Sequence, residues 1–209
     1  MGFVQKSIAA GLILLSLFSI PLLMLSQQWF DESETSYGIQ AGDIDSLSFQ
    51  WFDWQSEKQS FPFEQPTMTY LFLGFLSCSE ICPIRIQQLS QLERAIEQDE
   101  YLANQSIRFL FVSFDPENDT AQVRKQVIDN KSARFTSAIL PDEDLMTLSN
   151  QLSENIQRET ETINHVGNLF LLDEAGKIQR IYTAKQLSTN KMLKELAHYL
   201  NQDSRASNE

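Results

Sequence analysis

The stretch MTYLFLGFLSCSEICPI, residues 68–84, carries the most structural information in this chain. Its first nine residues are almost continuously apolar over the length of one strand, the pattern of a strand buried on both faces. The only two cysteines of the chain, Cys78 and Cys82, follow at once, four positions apart. Pro83 comes next, and proline is tolerated at a helix start because its missing N–H is not needed there. Beyond it, Ile86, Leu89, Leu92 and Ile96 recur at helical spacing through residues 84–98. A cysteine pair between a buried strand and a helix points to a thioredoxin-like arrangement. Open α/β sheets also gather their ligands at that end of the strands.

Working outward, SLSFQWFDW alternates apolar and polar residues as a strand does, and SEKQSFPFEQ reads as its hairpin partner. IRFLFVSFD is a further buried strand, followed by a helix over residues 121–130 with Asp119 and Gln122 spaced as a capping box. SAIL is a short strand, and residues 141–156 form a helix opened by proline and acids. VGNLFLLD and KIQRIYT flank the turn EAG, and an amphipathic helix over residues 186–200 closes the domain. This order predicts a thioredoxin-like α/β fold over residues 44–201, with a central mixed sheet, helices on both faces and an N-terminal β-hairpin. Residues 202–209 read as a flexible tail, and no internal repeat occurs.

Ahead of the domain, residues 8–25 (IAAGLILLSLFSIPLLML) contain no charge, at about the lower length limit of a membrane-spanning helix. No small-x-small cleavage pattern follows, which favours an uncleaved anchor over a signal peptide. Trp29 and Phe30 supply an interfacial aromatic pair. Lys6 precedes the run, and Asp31, Glu32 and Glu34 follow it, so residues 1–7 are expected to stay cytoplasmic. Residues 26–43 then form a linker to an exported domain, in a bacterial periplasm or a mitochondrial intermembrane space. The net charge of −12 leaves no basic stripe for nucleic acid.

Three uses of the cysteines compete. A structural disulfide closing so short a loop adds little stability to a domain of this size. A catalytic dithiol is favoured by the helix start, where a thiol pKa is expected to fall. Against it, the spacing is C-x-x-x-C, and no proline occurs after Pro141 to face the dithiol. A metal clip is the third use, since two thiolates on one turn are soft ligands that select Cu(I) or zinc. His198 falls among Lys191, Lys194 and Glu195, read here as the polar face of the last helix. His165 therefore remains as the third ligand beside Cys78 and Cys82, a set suited to trigonal copper and open to exchange.

FLGFLSCSEICP resembles the FGFTxCPDICP motif of the Sco/SenC family of membrane-anchored copper chaperones. FLFVSFDPENDT resembles that family's SxDPxRDT segment, and NHVGNLFLLDEAGKI its histidine segment, DHSxxxYLxDxxG. The resemblance covers roughly residues 40–200. It implies a thioredoxin-like domain holding one copper, as Cu(I) or Cu(II), through Cys78, Cys82 and His165. It further implies a copper-accepting partner, subunit II of cytochrome c oxidase. Asp115 takes the place of the aspartate near the family's site, although Asp115-Pro116 also reads as a simple turn. Ser79, Asn118, Asn164 and Val166 depart from the family pattern. The changed neighbours of His165 imply weaker orientation of the imidazole and weaker copper binding. The expected function is a copper metallochaperone. A thiol–disulfide oxidoreductase and a copper or redox sensor are the alternatives.

Overall fold

In a computed structural model, residues 37–42, 44–154 and 167–206 are described. Eight strands form one sheet in the order β1-β8-β7-β4-β5-β6-β2-β3. They are β1 (Ile39–Gln40), β2 (Phe49–Phe52), β3 (Lys58–Phe61), β4 (Met68–Gly74), β5 (Ile107–Ser113), β6 (Phe135–Ile139), β7 (Leu169–Leu172) and β8 (Ile178–Tyr182). Among the described residues the α-helices are α1 (Ile81–Gln98), α2 (Ala121–Val127), α3 (Asp142–Gln151) and α4 (Thr189–Ala206). A 3₁₀ turn, Leu102–Asn104, follows α1, and another, Asp129–Lys131, follows α2.

The apolar run opening residues 68–84 becomes β4, buried at all seven positions. It lies parallel to β5 on one side and antiparallel to β7 on the other. β5 is parallel to β6 in turn, while β2 and β3 form the expected N-terminal hairpin against β6. Side chains alternate between faces along each strand. Leu71 and Leu73 of β4, Leu110 and Val112 of β5, and Phe170 and Leu172 of β7 share one cluster with Leu145, Leu148 and Leu152 of the α3 region. Cutting one such leucine to alanine costs about 2–5 kcal/mol. The intervening residues turn to the other face, where the Tyr182 hydroxyl donates to Glu195 Oε2 of α4 at 2.6 Å. Helices thus cover both faces of a mixed sheet, as the alternation of elements predicts.

The register sets the location of the site. Gly74 pairs with Ser113 and Ser113 with Ile139, so β4, β5 and β6 end together. Phe72 pairs with Leu169, and Leu169 with Tyr182, so β7 begins and β8 ends at the same level. The connections around Cys78, Asp119, Gly167 and Ala184 therefore meet at one end of the sheet.

Three local expectations change. Thr120, not Asp119, caps α2, its side chain accepting from Val123 N, because Asp119 is buried elsewhere. The last helix runs to Ala206, past Leu200 and into the stretch read as a flexible tail. Glu195, read on that helix's polar face, is fully buried against Arg180 and Tyr182. The chain divides into a unit Gly38–Ala197 and a unit comprising Met1–Tyr37 with His198–Glu209. In the latter, exposed His198 stands edge-on to Tyr199 with ring centroids 6.1 Å apart. The expected anchor, residues 8–25, lies outside the described residues. Among the described residues no helix is long and apolar enough to cross a membrane.

Candidate metal centre

The cysteine turn leaves β4 at Gly74. A Cβ there would stand 2.9 Å from the Phe72 ring and 3.1 Å from Cys82 Sγ, so the absence of a side chain lets the sulfur settle on the strand end. Cys78 N donates to Phe75 O at 3.4 Å, closing the turn. Cys82 lies in the first turn of α1 and is 1% exposed, whereas Cys78 is half-buried, and no disulfide joins them. The two side chains are within hydrogen-bonding reach of each other.

Asp119 fixes the approach to this turn. It is buried at the end of β5, and its carboxylate accepts from Leu76 N at 3.0 and 3.1 Å and from Ser113 Oγ at 2.6 Å. Burial raises the Asp119 pKa even though those two donors favour the charged form. Asp115, the residue singled out from the sequence, organises the neighbouring loop. Its carboxylate accepts from Asn118 Nδ2 at 3.0 and 2.9 Å, and its backbone carbonyl accepts from Asp119 N at 2.8 Å.

A helix start was expected to lower the Cys82 pKa. The opposite holds, because burial pushes the thiol well above its ordinary value. The Phe75 backbone amide offsets part of that rise, while hydrogen bonding to Cys78 and the Asp119 charge add to it. Desolvation of the thiolate outweighs the helix terminus. Cys82 therefore holds its proton until something displaces it.

The opposite wall is built by residues that sequence reading passed over. Glu154, buried past the end of α3, accepts from Gly167 N at 3.3 Å and Asn168 N at 2.9 Å. Gly167 has φ +70°, and a Cβ on it would lie 2.7 Å from the Ile81 side chain. Only glycine takes that backbone conformation and that closeness without strain. Arg85, fully buried one turn beyond Cys82, donates from Nε to Gly167 O at 2.9 Å and from Nη2 to Ala184 O at 2.8 Å. Its Nη1 holds Gln88 Oε1 at 2.8 Å, and Gln88 Nε2 reaches Lys185 O at 2.9 Å. Helix α1 is thus strapped to both ends of the β7–β8 hairpin. A signal was present in the sequence, because Arg85 lies in register with Leu89, Leu92 and Ile96 on the buried stripe of α1.

His165 lies outside the described residues, two positions before Gly167. Among the described residues no group of three His, Cys, Asp or Glu side chains could hold a metal ion. Two adjoining sulfurs are the donor set that remains, and soft donors of this kind fit copper or zinc.

The model of the SCO1/SenC family matches residues 49–201 of this chain. The chain belongs to the SCO1/SenC family. One relative, a protein of Stutzerimonas stutzeri named for copper binding, is 30% identical over 114 residues, 52% of this chain and 54% of its own. The chain spans about half the length of the curated relatives it matches. Arabidopsis thaliana ScoI, solved with copper bound, superposes with TM-score 0.65 at 16% identity, covering 75% of this chain and 98% of that one. Bradyrhizobium japonicum ScoI, also solved with copper bound, gives 0.61 at 17% identity over 74% and 98%. Such structural likeness establishes the thioredoxin-like SCO1/SenC fold for this chain.

Proposed function

We propose that this protein is a copper metallochaperone that binds one copper ion through Cys78, Cys82 and His165. One observation carries the reading: the Gly167 backbone sits against Ile81, the residue before Cys82. Gly167 follows His165 by two positions in the chain, so the described end of the histidine segment meets the cysteine turn. Family membership and the copper named for its relatives add support. We read the domain as exported and membrane-tethered by residues 8–25, with subunit II of cytochrome c oxidase as the acceptor.

The chain's own residues divide the work. Asp119 and Gly74 set the position of the sulfurs, and Cys82 keeps its proton until the metal arrives. Copper entry then releases protons, because thiolates are the ligands, and affinity falls as the solution becomes more acidic. Half-buried Cys78 is the ligand open to an incoming partner.

The test is copper stoichiometry on reduced protein titrated with Cu(I). Wild type binds one equivalent, Cys78→Ser loses tight binding, and His165→Ala binds more weakly with an altered spectrum. Retention of full stoichiometry and affinity in both variants refutes the copper site. A half-buried thiol beside a buried one also suits thiol–disulfide exchange, with Cys78 attacking and Cys82 resolving. Insulin reduction at the rate of a thioredoxin would place that reading first.

A further inference from the structure

Alongside Cys82, a groove of about 370 Å³ runs between α1 and the segment joining α2 to its following 3₁₀ turn. Cys82, Ile86, Ser90 and Arg94 line it from α1. They are four residues apart, so they form one stripe about 18 Å long at 1.5 Å of helix rise per residue. That length matches five or six residues of extended chain. Leu76 and Val127 make its apolar walls, and Val127 is 38% exposed, a large apolar side chain left facing solvent.

The far end is basic. Exposed Arg94 and Lys131 stand there, and no acidic residue lines the groove. In a chain with 28 acids against 16 bases, that local reversal of sign is informative. Among the described residues neither cation forms an ion pair.

We propose that this groove docks an extended segment of the exchange partner, with its sulfur at the cysteine end, where half-buried Cys78 lies within hydrogen-bonding reach of Cys82, an apolar residue between Leu76, Ile86 and Val127, and carboxylates at Arg94 and Lys131. The inference rests on the reading of Cys78 and Cys82 as the exchange site. It adds the partner's chemistry, namely a thiol-bearing, apolar, acidic-tailed peptide segment. Complementary charge of this kind governs encounter rate and partner choice more than the strength of the final contact.

The test uses reduced, copper-free, full-length protein and two synthetic peptides, acetyl-Cys-Ala-Leu-Glu-Glu and acetyl-Cys-Ala-Leu-Lys-Lys. Each peptide is activated as its mixed disulfide with nitrothiobenzoate. A cysteine thiolate of the protein attacks the peptide sulfur, a new S–S bond forms, and nitrothiobenzoate leaves as a coloured thiolate. In wild type at low salt the acidic peptide is expected to react about tenfold faster than the basic one, and the ratio to approach one in about 1 M salt, where the Debye length is only about 3 Å. Arg94→Glu/Lys131→Glu should invert the preference, and because both side chains are exposed the fold is retained. Equal rates in wild type, or a wild-type preference surviving in the double variant, would overturn the docking groove while leaving the exchange site standing. No reaction with either peptide would overturn the exchange site and the groove together.

Discussion

Asp119 and Glu154 are both buried carboxylates at the same end of the sheet, and both accept backbone N–H groups from another part of the chain. Asp119 reaches 43 residues back to Leu76 and shares its charge with the Ser113 hydroxyl. Glu154 reaches 13 and 14 residues forward to Gly167 and Asn168, closing the ends of the segment that contains His165. The two differ in electrostatic reach. Asp119 raises the proton affinity of Cys82, while Glu154 has no part in that shift. One carboxylate serves the sulfurs both by position and by charge. The other serves by position, holding the backbone at Gly167 and Asn168. A site assembled from distant segments needs each segment anchored separately, and a buried acceptor for an orphan N–H does this at a net gain of about 1.5–3 kcal/mol per charged hydrogen bond.

The largest effect expected is at the strap joining the two sides. Arg85→Met leaves the carbonyls of Gly167 and Ala184 and the Gln88 amide oxygen without that donor, and should destabilise the domain by roughly 3–5 kcal/mol in urea unfolding. A cost under about 1 kcal/mol would mean that α1 and the β7–β8 hairpin are held together by other contacts.

Removing the carboxylates one at a time sharpens the contrast. Asp119→Ala and Glu154→Ala should each cost about 2–3 kcal/mol. Amide exchange separates them: Leu76 should lose protection only in the first variant, Gly167 and Asn168 only in the second. Simultaneous loss at both places in either variant would show one cooperative unit rather than two anchors.

The smallest effect is alkaline. The Cys82 thiol has its pKa raised above the ordinary 9.0, so the folded state keeps a proton that the unfolded chain releases. Its stabilising contribution is complete below pH 9.0 and is lost as pH rises toward the folded value. Stability of the reduced protein should fall by about 1.4 kcal/mol near pH 10, and Cys82→Ser should remove that slope. Buried Tyr70 and Tyr182, also raised above their ordinary 10.0, add their own loss only at higher pH. An identical slope in the variant would contradict the burial of the thiol.

Much of this was legible from residue order alone. The apolar run of β4, the period of α1 and the turn at Gly176 report local choices, because strand pleat and helix pitch act on near neighbours. The cysteine pair announced the site for the same reason, since both sulfurs lie on one short turn. Residue order also separated the histidines, placing His198 on an exposed helix face, as the structure has it.

Tertiary structure decided which charges are buried and what they hold. Asp119 looked like a helix cap and Glu195 like a surface acid, because spacing within a helix carries no information about the turn at Leu76, 43 residues away, or about Gly38, whose N–H donates to Glu195 from 157 residues away. The raised pKa of Cys82 followed the same logic. A helix start is visible in sequence, but the desolvation that overrides it comes from how completely the sheet end and its neighbouring turns enclose one sulfur. The sequence determined which soft donors were available. Long-range packing determined the protonation of Cys82, the exposure of both cysteines and the backbone around them.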